Sequence, residues 1–113
     1  MDDIAPGSLV ILHCTNPKEK FWGVLVRLDV VGAIARGMDL NSVEDWLVQE
    51  RTEADGLIRP STFFVPLHRV VRIDLEEQGG VVPSYGERYG DLCGRDVQEA
   101  LAGLDGAANR SDE

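Results

Sequence analysis

The sequence predicts a mainly β fold: a small, strongly bent five-stranded β-barrel with one inserted short helix and a helical C-terminal tail. Three observations predict it. Residues 21–40 alternate in polarity for longer than one straight strand of a small domain would. A second strand-like segment, 62–75, contains Pro66, which cannot donate a hydrogen bond to a neighbouring strand. Beyond Glu76 the alternation stops and helix-capping patterns begin.

The first predicted strand spans residues 8–15 and is apolar at nearly every position, so we expect it to be buried on both faces. A polar turn at residues 16–20 joins it to the long run as a hairpin. That run should bend near residues 29–32, because Gly32 follows Asp29 there. One parity of the run carries the large apolar residues, and we expect these on the buried face: Trp22, Val24, Val26, Leu28, Val30, Ile34, Met38 and Leu40.

A short helix is predicted at residues 42–50, inserted between the strands. Asn41 or Ser42 can cap its first turn, with an acidic residue three positions further on. Trp46 is the large apolar residue of this helix, and we expect it to dock the helix on the barrel. Residues 51–61 contain Gly56 and Pro60 and are predicted to form an exposed loop.

Two further strands complete the predicted barrel. They span residues 62–65 and 70–75, and a single 3₁₀-like turn at residues 66–68 bridges them. Alternation in the last strand predicts that Val71 and Ile73 face one way while Val70, Arg72 and Asp74 face the other.

The C-terminal third is predicted to be a helical extension of the barrel. The barrel domain then covers residues 1–76, the extension covers 77–104, and residues 105–113 are predicted to be disordered. Ser84 with Glu87, and Asp96 with Glu99, have capping-box spacing. The extension should dock on its own barrel or on a partner, with its own barrel favoured. The residues expected to make that contact are Tyr85, Tyr89, Leu92 and Leu101.

Composition limits the classes of function. The 113 residues carry a formal net charge of −9, which argues against nonspecific binding of nucleic acid. The first residues lack the pattern of a secretion signal, and no apolar run is long enough to cross a membrane. With two widely separated cysteines, free thiols and a cytoplasmic location are expected, with no membrane partner.

Residues with nucleophilic or metal-binding chemistry are few. His13 and Cys14 are adjacent in a strand and therefore point to opposite faces, and Cys93 lies far away. Without paired ligands at short spacing, we predict no catalytic site, no metal and no cofactor. Cys14 is expected to be a buried small hydrophobe. His68 either contacts a ligand or, as we favour, holds its turn by bonding a backbone carbonyl.

Two motifs resemble those of the Sm-like and Src-homology types of small five-stranded barrel. Leu28-Asp29 followed by Gly32 resembles the bent-strand motif, and residues 65–70 resemble the short bridge between the last two strands. The resemblance implies assembly through the strands on either side of the bridge, which pair between subunits into rings. Ala33 stands where RNA-binding Sm proteins carry Asn, so their base-contacting residues are not carried over.

The expected function is that of a non-enzymatic interaction or assembly module. It would associate with itself, as a ring or dimer, or with a partner protein, through edge residues Phe63, Val65, Val71 and Ile73. The alternative is an Sm-like RNA-binding protein that uses the bridge at 66–69 and the barrel's basic residues. The residues expected to contact a ligand, RNA or partner are Lys18, Lys20, Arg27, Asp29, His68, Arg69 and Arg72.

Overall fold

The computed structural model describes residues 4–52, 58–77 and 84–103. Five antiparallel strands form one sheet, and helices lie between and after them, so the predicted mainly β class with added helices is confirmed. In chain order the elements are β1 (Leu9–Cys14), β2 (Glu19–Leu28), β3 (Gly32–Asp39), a 3₁₀ turn (Leu40–Ser42), α1 (Val43–Thr52), β4 (Ser61–Pro66), a second 3₁₀ turn, here called the bridge (Leu67–Arg69), β5 (Val70–Leu75), α2 (Tyr85–Cys93) and a π-helical turn (Glu99–Gly103).

The strand order β4-β3-β2-β1-β5 places the last two strands at opposite edges of the sheet. Among the described residues, β4 pairs only with β3, and β5 pairs only with β1. The hydrogen-bonded sheet is therefore open between β4 and β5 in this part of the chain. Both edges keep one side of the backbone without a neighbouring strand.

One face of the sheet, the inner face, encloses a core to which all five strands contribute. Its buried members are Val10, Leu12, Cys14, Leu25, Ala33, Ala35 and Val65. The inward-facing residues at the centre of β3 are Ala33 and Ala35, so larger side chains from the strands on either side can meet above them. Phe21 of β2 and Phe63 of β4 do so, with ring centroids 4.8 Å apart, although β3 lies between their strands.

The other face, the outer face, is covered by the helices. Trp22 contacts Trp46 of α1, with ring centroids 5.6 Å apart, which confirms that Trp46 docks its helix on the sheet. Tyr89 of α2 stacks on Trp46 at 5.1 Å, and Tyr85 meets Trp22 edge-on. The C-terminal helices therefore pack on their own sheet and bury its outer face against an aromatic layer.

The predicted alternation of β2 is wrong beyond Val24. Val26 and Leu28 are exposed, because a bulge between Leu25 and Arg27 inserts an extra residue opposite β3 and changes the facing of those that follow. Val30 lies in the turn between β2 and β3 and is 88% exposed. The predicted bend at residues 29–32 is this turn, which divides the long run into two strands.

A second bulge corrects the predicted facing of β5. The β1–β5 register shifts between His13 and Cys14, which leaves Val71 as the extra residue. Val71 is exposed, whereas Val70 joins Ile73 against the inner core, contrary to the expected pairing of Val71 with Ile73. In β1, the inner-face residues are buried, while those of the outer face are only partly buried, so full burial of both faces was an overestimate.

The bridge holds the two ends of β2 toward one another. Leu67 N donates to Val31 O in the turn after β2, and Arg69 O accepts from Thr15 N in the turn before it. Ten residues of straight strand would separate these turns by about 33 Å. The Cα atoms of Leu67 and Arg69 are at most about 8 Å apart. The sheet must therefore curve strongly along β2.

The helix caps in the C-terminal part agree with those predicted from the sequence, whereas the cap before α1 differs. Ser84 and Glu87 form the predicted capping box of α2, and Gly94 ends that helix at a φ of 71°. Asp96 accepts a hydrogen bond from the Glu99 backbone N–H. Ahead of α1, the side chain of Asp39, rather than Asn41 or Ser42, caps a 3₁₀ turn that leads into the helix. The predicted disordered tail, 105–113, lies outside the described residues.

We predict that Gly37→Ala destabilises the protein by about 3 kcal/mol, since overpacking a tight contact typically costs 1–3 kcal/mol. Gly37 pairs with Gly23 of β2, and a Cβ atom on Gly37 would overlap the Trp22 carbonyl. Urea unfolding measures the change. Gly90→Ala in α2 is the matched control, because its new methyl group would meet nothing closer than 3.7 Å. That variant should be neutral or more stable by up to about 1 kcal/mol. Equal effects of the two substitutions would contradict the close β2–β3 approach.

Candidate interaction surface

The structure pairs each of the three arginines predicted to contact a ligand with a carboxylate of its own chain. Arg27 Nε lies 2.8 Å from Asp29 Oδ2, Arg69 Nη2 lies 2.7 Å from Glu19 Oε1, and Arg72 Nη2 lies 2.9 Å from Asp74 Oδ2. These pairs lie at different places on the sheet. Each partly neutralises the charge that an anionic ligand would need.

Arg69 is the most constrained of the three. Its side chain is only 20% exposed. Besides Glu19, its guanidinium donates to Thr15 O at 3.0 Å and Pro17 O at 2.9 Å. It thus satisfies two carbonyls of the β1–β2 turn and fastens that turn to the bridge. The residue that fixes the bridge is Arg69.

His68 does not have the expected structural role. It is exposed, and within the described residues its side chain has no hydrogen-bond partner, so the favoured bond to a backbone carbonyl is wrong. Lys18 and Lys20 are also exposed and lie beside Asp39, around a surface cavity of about 330 Å³.

Asp29, which the sequence predicts to contact a ligand, shapes the β2–β3 turn. Its carboxylate accepts hydrogen bonds from the backbone N–H groups of Val31, at 2.9 Å, and Gly32, at 3.3 Å. The bond from Val31 is the main cause that holds the pKa of Asp29 below its ordinary value, and the Arg27 guanidinium also lowers it. Asp29 is thus the internal acceptor of its own turn.

Two further titratable residues singled out in the sequence, His13 and Cys14, are held within the fold. His13 Nε2 lies 2.9 Å from Asp74 Oδ2. Cys14 is buried in the inner core, and burial raises the pKa of its thiol, which disfavours the reactive thiolate. Across the described ranges, no three His, Cys, Asp or Glu side chains converge as metal ligands.

The helices leave one end of the outer face uncovered. There the cross-strand row consists of Arg27, Ile34 and Phe64, from β2, β3 and β4. The Phe64 ring lies over Gly32, where a Cβ atom would come within 2.8 Å of it. Phe64 is nevertheless 50% exposed. It borders a shallow cavity of about 160 Å³ that Val31 and Ile34 also line.

Exposed apolar residues from the adjacent turn and bridge extend this surface. Val31 is linked to Leu67 through its carbonyl, and both side chains are exposed. We call the resulting surface the corner patch: Val30, Val31, Phe64 and Leu67. Contiguous exposed apolar residues of this kind are typical of interaction sites.

The predicted edge residues divide between the core and the surface. Phe63, Val65 and Ile73 direct their side chains to the inner core, and only Val71 is exposed, although the backbone of all four lies on an edge strand. Sequence reasoning missed Phe64. Its signal was available, because two successive phenylalanines in a strand of period two must face opposite sides.

The predicted docking residues of the tail are mostly confirmed. Tyr89 and Leu101 are fully buried, and Tyr85 packs on the same cluster. Leu92 is exposed instead, at the mouth of a groove between α1 and α2. Arg36 of β3 donates to Leu101 O at 2.6 Å, a contact between sheet and tail that the sequence pattern did not indicate.

Comparison of the chain with family models, with curated proteins and with solved structures found no match. In the described part of the chain, no helix combines the length and the apolar character needed to cross a membrane.

We predict that Arg69→Ala lowers the free energy of unfolding by about 2 kcal/mol, since hydrogen bonds to a charged donor are worth about 1.5–3 kcal/mol. The substitution leaves the Thr15 and Pro17 carbonyls without their donor. Arg72→Ala is the matched control: its pair with Asp74 is exposed, so the loss should stay below about 1 kcal/mol. Urea unfolding of both variants tests this. A larger loss for Arg72→Ala would show that Arg69 does not hold the bridge.

Proposed function

We propose that this protein is a non-enzymatic module that assembles with copies of itself, or with a partner protein, through its edge strands. The observation that carries the proposal is the strand order, which leaves β4 and β5 each paired on one side only within the described residues. An edge strand presents free N–H and C=O groups that can pair with another chain. The corner patch adds exposed apolar area beside β4.

We extend the proposal to the architecture: the sheet forms a small, incompletely closed barrel of the Sm-like or Src-homology type. Three findings support it. The strands follow the order β4-β3-β2-β1-β5, the bridge is one 3₁₀ turn, and residues from all five strands share the inner core. In such a barrel the gap between β4 and β5 is the place where another subunit's strand would add.

The non-enzymatic part of the proposal is supported by how the polar side chains are used. His13 is bonded to Asp74, Cys14 is buried, and Asp29 closes a turn. These three side chains, which could supply acid–base or nucleophilic chemistry, are therefore used within the fold.

The proposal predicts concentration-dependent assembly of the full chain. Sedimentation velocity and native mass spectrometry at micromolar concentrations should show species larger than the 12.4 kDa monomer, or a pull-down from lysate should recover a stoichiometric protein partner. A monomer at every concentration, together with no recovered partner, would contradict it. Assembly should persist at high salt, because backbone pairing and apolar contacts carry it.

RNA binding is the second candidate, and the observation in its favour is that Lys18, Lys20 and Arg27 remain exposed. The three internal arginine–carboxylate pairs and the net charge of −9 weigh against it. We therefore predict no shift of a single-stranded RNA oligonucleotide at low salt. Steeply salt-dependent binding that a Lys18→Ala, Lys20→Ala variant weakens would support RNA binding and displace the assembly proposal.

A further inference from the structure

We infer that β4, and not β5, is the edge through which the protein associates with itself, and that β4 of one copy pairs antiparallel with β4 of a second copy about a twofold axis. The inference rests on the proposed function and narrows it to one edge, one symmetry and one occupant. The occupant is a second copy of this chain. Twofold dimers use the same surface on both subunits, so the surface must complement itself.

The distribution of charged residues favours β4 over β5 as the edge that pairs with a second copy. Each copy carries a net charge of −9, so two copies repel one another, and a contact strand without charged side chains adds no local repulsion and buries no charge. β4, with the sequence STFFVP, has no charged residue. β5, with the sequence VVRIDL, has two, Arg72 and Asp74.

β5 also has features that protect an edge strand from further pairing. Charged side chains and bulges are two of the devices by which proteins blunt an edge strand. Arg72 and Asp74 share the outer face of β5, and Arg72 binds Asp74 with two of its nitrogens. The bulge at Val71 also breaks the regular spacing of the β5 backbone. β4 has neither of these two devices, and its proline, Pro66, stands at its last position. The register of β4 with β3 is continuous from Gly32↔Pro66 to Gly37↔Ser61.

β4 of one copy is complementary to β4 of a second copy in an antiparallel arrangement. Pro66 has no N–H, so pairing is confined to residues 61–65, and the twofold axis lies near Phe63 and Phe64. Antiparallel pairing keeps the same faces of both sheets on one side, so Phe64 of each copy lies on the shared outer face. Directly opposite or diagonal neighbours are about 4.5–8 Å apart, within reach of aromatic side chains.

Phe64 is the residue of the corner patch that gives the dimer its apolar contact area. It is 50% exposed on the outer face of β4. Val31 and Leu67, joined by a backbone hydrogen bond, lie at the Pro66 end of β4. Because the paired strands run antiparallel, that end of one copy lies opposite the Ser61 end of the other, so the two corner patches lie at opposite ends of the interface. The backbone pairing and the two Phe64 side chains near the axis therefore hold the copies together.

The test compares two substitutions that each introduce a lysine at an exposed apolar position, Phe64 in β4 and Val71 in β5. Sedimentation equilibrium of the full chain should give a monomer–dimer equilibrium. Phe64→Lys, which adds a charge at the β4 interface, should raise the dimer dissociation constant at least about 30-fold, the effect of removing an interface hot spot. Val71→Lys, on β5, should leave it unchanged, because Val71 is 65% exposed and outside the proposed interface.

A cross-linking experiment tests the same interface without requiring that the Phe64→Lys variant folds. In a Cys93→Ser background, where Cys14 is buried, a short bismaleimide should join two copies of Thr62→Cys, which keeps Phe64 and is exposed on the same face of β4, and none of Val71→Cys. Circular dichroism of each variant confirms folding.

The outcomes separate the inference from the function on which it rests. A closed ring larger than a dimer, or equal disruption by Phe64→Lys and Val71→Lys, would overturn the β4 dimer but retain assembly through edge strands. A wild-type chain that is monomeric and bound to another protein would also overturn the dimer and leave partner binding in place. A monomer without any partner would overturn both.

Discussion

The attachment of a three-residue bridge to both ends of one strand is the constraint on which the rest of the fold depends. Leu67 holds the turn after β2, and Arg69 holds the turn before it. Because the bridge is far shorter than β2, the sheet has to curve, and its two faces become unequal. The inner face closes over small residues such as Ala33 and Ala35, whereas the outer face is covered by the helices that carry Trp46 and Tyr89.

The curvature also decides which surfaces remain available. The helices cover the outer face around Trp22 and stop before the row that ends at Phe64. The bridge and the β2–β3 turn project apolar side chains beside that row, while β4 stays unpaired on its other side among the described residues. The uncovered edge and the exposed patch are therefore two results of the same bend.

Much of this fold could be predicted from local patterns, and the errors have a common physical origin. The hairpin, the turn at Asp29 and the capping box at Ser84 depend on residues close in sequence and were predicted. The docking of Trp46 was predicted because it is the large apolar residue of a short helix. The facing of Val26 and Val71 was not, because each follows from a bulge set by the opposing strand. The roles of surface residues were harder to predict. Alternation shows which side chains share a face, but it does not show that an arginine will bind a carbonyl fifty residues away. Nor does it show that helices will cover only part of a face.

Amide hydrogen exchange measured as a function of protein concentration tests the central claim most directly, because it reports the backbone of each edge separately. Protection of the amides at residues 62–65 should rise as the concentration passes through the dimer dissociation constant, while the amides of β5 exchange at a constant rate. Exchange in β4 that is independent of concentration, or protection that appears in β5 instead, would contradict assembly through β4.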